Sequence, residues 1–188
     1  VVISAGFAET GEAGRALQDA MTTLVRANGM RMIGPNCVGI LNTDAAVSLN
    51  ASFAARAPLA GRISLASQSG ALGVALLDQA KAMGLGVAQF VSLGNRADIS
   101  SNDLLDCWAT DDRTDVILLY LESFGNPRNF ARIARRVTRV KPVVALRGGR
   151  SSAGARAAAS HTGSLAGPSA GLDALLRQTG VLQVDSIE

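Results

Sequence analysis

From residue 62 onward, short apolar runs alternate with stretches of helical period, and this alternation limits the possible folds more than anything else in the chain. Strand-like runs fall at 62–66, 86–92, 115–121, 142–146 and 181–184. Helical stretches lie between them at 70–82, 101–109, 128–138 and 169–178. The stretch 128–138 is the clearest, with Phe130, Ile133, Ala134 and Val137 on one face. Strands that alternate with helices pack as a parallel sheet between helical layers. The expected fold is therefore α/β, a doubly wound parallel sheet of flavodoxin type.

The first third reads differently. Residues 1–5 are expected as a strand, Gly6 to Gly11 as a turn and 12–28 as a helix. Ala13, Leu17, Met21, Leu24 and Val25 would form that helix's buried face. Asn28-Gly29 ends it, and a second strand at 30–33 runs into Gly34-Pro35-Asn36-Cys37-Val38-Gly39. This strand–helix–strand unit is half of another open parallel sheet. Residues 44–61 lack periodicity and include Pro58 and Gly61, so they read as a connection. The resulting division is 1–48, the C-terminal part of a Rossmann-like domain; 49–61, a linker; and 62–188, the flavodoxin-like domain. The chain opens on an apolar run without Met and closes just after Asp185-Ser186, a plausible helix cap, and so reads as a segment of something larger.

Composition narrows the function classes. No apolar run approaches the roughly 18 residues that span a bilayer, and no signal segment opens the chain, so the expected location is the cytoplasm without membrane association. Cys37 and Cys107 are the only cysteines, which suits a reducing compartment. With a single histidine and no close cysteine pair, no metal site is expected in the protein. The net charge of +3 owes much to Arg132, Arg135, Arg136, Arg139 and Lys141. These lie on the polar side of a helix without interleaved aromatics, so they read as a solvated face and not as a nucleic-acid surface.

Five stretches carry candidate chemistry. Ser67-Gln68-Ser69-Gly70-Ala71 joins a strand to a helix at the carboxyl edge of the sheet, where helix-start amides of Ser69, Gly70 and Ala71 suit a phosphate. The alternative is a plain N-cap. The Gly34–Gly39 turn, with Asn36, Cys37 and Gly39, offers ligand contacts, while Cys37 also fits a small core hydrophobe. Tyr120-Leu121-Glu122 ends an apolar strand in a carboxylate. Such a group on a histidine Nδ1–H makes Nε2 the nucleophile and stabilises a cationic phosphoimidazole; a solvated strand end is the alternative. Gly94-Asn95-Arg96-Ala97-Asp98-Ile99-Ser100 suits either an acyl carboxylate or a partner subunit.

The fifth stretch is Arg147-Gly-Gly-Arg150 through Ser160-His161-Thr162-Gly163-Ser164, a long aperiodic run of Gly, Ala, Ser and Arg. Structureless loops of this length are functional or disordered. It holds the only histidine, among glycines for mobility and arginines for phosphate pairing. His161 is therefore the candidate phosphoryl carrier. A serine hydrolase is the competing arrangement, with Ser69, an acid at Asp115 or Glu122, and His161 in α/β-hydrolase order. Ser67 and Ala71 stand where the nucleophile elbow has glycine.

Taken together, SAGF (4–7), IGPNCVGI (33–40), SQSGALG (67–73), LGNRADISSND (93–103), Glu122 and KPVVALRGGRSSAGARAAASHTGSLAG (141–167) resemble the nucleoside-diphosphate-forming acyl-CoA synthetases. The ordered series is similar to ADP-forming acetate–CoA ligases and, more distantly, to the succinyl-CoA synthetase α subunit. The resemblance implies a reversible conversion of acid, CoA and ATP to acyl-CoA, ADP and phosphate. His161 would relay the phosphoryl group and Glu122 would steady it. Ser69, Gly70 and Ala71 would hold the phosphate, while Asn36, Cys37 and Gly39 would face CoA and the acyl group. It also implies an upstream CoA-binding domain, an ATP-grasp domain or subunit binding ATP/ADP with Mg2+, and an oligomer. A related alternative is a CoA- or acyl-CoA-sensing module of a protein N-acetyltransferase.

Overall fold

The computed structural model describes residues 1–148, 169–184 and 186. Its strands are β1 (Gly39–Asn42), β2 (Leu49–Ser52), β3 (Ala60–Ser67), β4 (Val87–Ser92), β5 (Val116–Leu121), β6 (Val143–Arg147) and β7 (Leu182–Val184). Its helices are α1 (Glu12–Ala27), α2 (Gly70–Ala82), α3 (Ser101–Ala109), α4 (Pro127–Val137) and α5 (Ser169–Gln178). A short 3-10 turn at Ala8–Thr10 precedes α1.

The strands form one sheet in the order β2-β1-β4-β3-β5-β6-β7. Adjacent strands from β4 to β7 run parallel, so the parallel part has its second strand outside its first, followed by the third, fourth and fifth. That is the flavodoxin order, and the expected α/β class holds. Successive residues of each strand feed opposite faces. Leu65 and Phe90 pack with Leu77 of α2 on one side. Ala66, Val91, Leu119 and Ala145 pack with Trp108 of α3, Phe130 and Val137 of α4 and Leu176 of α5 on the other. Trp108 is fully buried, and its indole N–H donates to Gln89 Oε1 at 3.1 Å, so its polar atom is satisfied. Gly73 lets α2 lie close on the sheet, since a Cβ there would sit 2.9 Å from the Phe90 ring. Arg132, Arg135 and Arg136 of α4 are exposed, as a solvated face requires.

Three local expectations are corrected. The 44–61 stretch is more than a connection: β2 lies within it and pairs antiparallel with β1, from Gly39 opposite Ser52 to Asn42 opposite Leu49. β1 in turn runs antiparallel to β4, so the hairpin extends the sheet. Residues 1–5 and 30–33 form no regular strand. Val2 N donates to Ile33 O and Asn36 N to Ser4 O, each at 2.9 Å, and Pro35 between these bonds has no N–H to give. Finally, α1 turns its polar side inward. Gly14, Gln18 and Thr22 are buried, while Leu17 and Leu24 are 56% and 64% exposed. On that side Gln18 Oε1 accepts the side-chain amide of Asn95, far along the chain, at 3.0 Å, and Gly14 has no Cβ to collide with Phe7 O.

Candidate functional site

A cleft of about 530 Å3 opens at the carboxyl ends of β3, β4 and β5. The chain leaves β3 toward β4 on one side and reaches β5 on the other, so this is the point where the strand order reverses. Open α/β sheets bind ligands there.

The first wall is the start of α2. Ser69 caps the helix, its Oγ accepting the Leu72 amide at 3.4 Å. Ser67 Oγ donates to Ser69 O at 2.6 Å and holds the turn. Gly70 and Ala71 line the cleft in the first turn, where amides lack intrahelical acceptors and the helix end carries partial positive charge. A Cβ on Gly70 would lie 2.5 Å from Val38 Cγ1, so glycine brings the helix start close to the neighbouring turn.

The second wall is the end of β5, where Glu122 lines the cleft. Its backbone is held by Gln68, which is 7% exposed. Gln68 Oε1 accepts the amides of Glu122 at 2.8 Å and Ser123 at 3.0 Å, and its Nε2 donates to Ser123 O at 2.7 Å. Half-buried Tyr120 lies next to this carboxylate. Burial first, and the negative charge of Glu122 second, raise its phenol above the ordinary tyrosine value. Gly148, bonded through its amide to Leu121 O at 2.9 Å, passes so close that a Cβ would lie 3.3 Å from Glu122 Cγ. The chain therefore leaves β6 alongside Glu122. Beyond the next segment, Asp173 of α5 returns to pair with Arg147 at 2.6 Å, with side chains only 19% and 8% exposed.

The third wall joins the Gly34–Gly39 turn to the loop after β4. Asn36 takes a positive φ of 56° and donates from Nδ2 to Asn95 Oδ1 at 3.3 Å. The Asn95 amide side chain donates in turn to Glu9 and Gln18. Burial would raise the Glu9 carboxyl, but Asn95 and the Phe7 and Gly6 amides outweigh it and hold the group below its ordinary value. Cys37 is 4% exposed, with Sγ directed at Val2 O at 3.4 Å, and burial pushes its thiol up. A protonated, buried thiol is a poor nucleophile, and the packing role fits it.

One cleft thus collects Asn36, Cys37, Ser69, Gly70, Ala71 and Glu122. Gly39 is not part of its lining: it takes a positive φ of 99° in the hairpin, where a Cβ would overlap Ala51 O. His161 and the rest of 149–168 lie outside the described residues. Sequence reasoning placed Gln68, Asn95 and Arg96 inside candidate stretches but gave none of them a role of its own. Their signal was polar side chains at the ends of buried strands, but only the fold shows that three strand ends meet. Among the described residues, no group of three or more His, Cys, Asp or Glu side chains is placed to hold a metal ion. No helix among them is long and apolar enough to cross a membrane.

Comparison with known proteins adds to this geometry. Residues 60–188 match the succinyl-CoA ligase like flavodoxin domain. Acetate–CoA ligase (ADP-forming) I of Archaeoglobus fulgidus is 46% identical over 188 residues, covering all of this chain and 27% of that protein. Subunit alpha of acetate–CoA ligase (ADP-forming) II of Pyrococcus furiosus is 44% identical over 188 residues, all of this chain and 40% of the subunit. The solved dinucleotide forming acetyl-coenzyme A synthetase 1 of Ca. Korarchaeum cryptofilum, in complex with phosphate and ADP, superposes with a TM-score of 0.90 at 41% identity. That match covers 98% of this chain and 39% of the other. The chain therefore spans well under half the length of these relatives.

Proposed function

The chain belongs to the family of succinyl-CoA ligase like flavodoxin domains, and on that premise we propose that it is a segment of an ADP-forming acyl-CoA ligase. The whole enzyme joins a short organic acid to CoA with ATP, giving acyl-CoA, ADP and phosphate, and runs in both directions. The observation that carries this reading is the convergence of Asn36, the start of α2 and Glu122 in one cleft. The relatives named as ADP-forming acetate–CoA ligases support it over the full length of the chain.

In the acyl-CoA-consuming direction, a phosphate oxygen attacks the thioester carbon and CoA leaves as the thiolate. His161 Nε2 then attacks the phosphorus of the acyl phosphate, and the acid departs as its carboxylate. A terminal oxygen of ADP attacks the phosphohistidine, releasing imidazole and forming ATP. Phosphoryl transfer of this kind depends on positioning and charge stabilisation, which this chain's groups are suited to give. The amides at Ser69, Gly70 and Ala71 hold the phosphate. Glu122 receives the Nδ1–H of His161 and balances the phosphoimidazole cation. Asn36 and the packed Cys37 shape the wall facing CoA and the acyl group.

The nucleotide and its Mg2+ belong to an ATP-grasp domain or partner subunit. CoA is gripped by an upstream Rossmann-like domain whose end lies within residues 1–48, and 62–188 form the phosphoryl-relay domain, whose sheet β1 and β2 extend. The family match beginning at residue 60 supports the last assignment. The assembly is an oligomer of the cytoplasm, in keeping with free Cys37 and Cys107.

The test is to incubate the full-length protein with ATP labelled in its γ-phosphate and Mg2+. Acid-labile label that disappears in His161→Ala is expected. Label that persists in the variant overturns the relay. Stabilisation by CoA without any labelling points to a sensing module, and fluorophosphonate capture of Ser69 to a hydrolase.

A further inference from the structure

We propose that Arg96 is a ligand-binding residue of the cleft, its guanidinium holding an oxyanion that is either inorganic phosphate or the carboxylate of the small acid. Arg96 lines the cleft together with Gly70, Ala71 and Glu122. Its backbone takes a positive φ of 57°, an unusual state for a long side chain and one that clusters at functional sites. That state is fixed from both sides. Arg96 N donates to Leu93 O at 3.1 Å, Asn95 N to Pro35 O at 2.9 Å and Ala97 N to Gly34 O at 3.2 Å. So held, the side chain reaches the end of β5, where Nη1 donates to Ser123 O at 3.2 Å and Ser123 Oγ at 3.0 Å.

The rest of the guanidinium is not spoken for. Nε is buried without a hydrogen-bond partner, and among the described residues no carboxylate forms an ion pair with Arg96. Burial lowers its pKa, and the field of Glu122 offsets only part of that effect. Buried cations in proteins are paired, and guanidinium is the side chain whose planar fork matches phosphate and carboxylate. A purely structural tie to Ser123 uses one nitrogen and leaves the other donors without purpose. An oxyanion between Arg96 and the first turn of α2 would satisfy both cationic walls at once. The identity of the ligand rests on the acyl-CoA ligase reading, whereas the binding itself does not.

The experiment is calorimetric titration of the full-length protein with inorganic phosphate and, separately, with acetate, without nucleotide or turnover. Arg96→Met and Arg96→Lys are compared with the parent, with CoA titrated as control. Loss of charge-assisted hydrogen bonds is expected to weaken one or both anions about ten- to a hundredfold in Arg96→Met, with a smaller loss in Arg96→Lys and CoA affinity unchanged. Weakening of phosphate alone assigns the phosphate, and of acetate alone the acid. The proposal is overturned if both anions bind the variants within about twofold of the parent, if the parent binds neither, or if CoA affinity falls in parallel. Should Arg96→Met not fold, Arg96→Lys decides by the same comparison. Absence of ATP-dependent acyl-CoA formation would remove the enzymatic reading while leaving this binding result standing.

Discussion

Gln68 Oε1 accepts the backbone amide of Glu122 at 2.8 Å, so the residue that follows β3 sets the backbone of the residue that follows β5. The same side chain also bonds Ser123 N and Ser123 O. Replacing Gln68 with Leu removes the acceptor from two amides at once. The expected loss is about 1–3 kcal/mol of folding stability, read from the urea unfolding midpoint at constant m value. A midpoint equal to that of the parent would show that the amide clamp contributes nothing.

Asp98 is the buried counterpart of two surface guanidiniums. Its side chain is 2% exposed and pairs with Arg26 at 3.0 Å and Arg31 at 2.9 Å, while accepting Met32 N at 2.8 Å. Burial pushes the carboxyl up, but the Met32 amide and the two arginines outweigh it and hold it below the ordinary aspartate value. A carboxylate depressed in this way stabilises the fold above its unfolded pKa, and that contribution fades as pH falls through the lower folded pKa. Asp98→Asn is therefore expected to cost about 1–3 kcal/mol near pH 7. The gap from the parent should shrink in the acid range below about pH 4. Denaturant titrations at the two pH values check this, and an equal gap at both would contradict it.

Gly94 has a positive φ of 53°, and a Cβ on it would overlap the carbonyls of Pro35 and Asn36. Both obstacles are backbone and cannot rotate away. Gly94→Ala is expected to lose more than about 1 kcal/mol, lowering Tm by at least about 2–4 °C. A Tm within a degree or so of the parent would mean that the two loops separate easily.

The thiols should differ in reactivity. Cys37 is buried with its thiol pushed up, whereas Cys107 is exposed. A maleimide near neutral pH is expected to label Cys107 at least about tenfold faster than Cys37, with the two rates converging on unfolding. Peptide mass mapping against time distinguishes the two sites. Fast labelling of Cys37 in the folded protein would contradict the burial of its thiol.

The parallel part of the fold was legible because its signals agree. The run Val116–Leu121 is wholly apolar, and Ser69, Ser100 and Asn126 stand at the starts of α2, α3 and α4 as expected of caps. The hairpin was not legible, since Gly39–Asn42 and Leu49–Ser52 are short and β2 is largely exposed, so neither shows a usable alternation. The periodicity of 12–28 marks a helix correctly but not its inward side, because Asn95, distant in sequence, bonds Gln18. At the site, Glu122 and Ser69–Ala71 were visible from their position at strand ends. Gln68 and Arg96 stood in candidate stretches, but their contact with Ser123 was not visible, because that adjacency exists only once β3, β4 and β5 lie side by side.

The Arg147–Asp173 pair works as a clasp. It ties the last residue of β6 to α5, and so fixes one point of the chain before the intervening segment to one point after it. Lengthening such a tethered span costs the fold little, since closure entropy grows only with the logarithm of its length. A change in the length of the chain between Gly148 and Ser169 is therefore expected to leave the pairing of β6 with α5 in place.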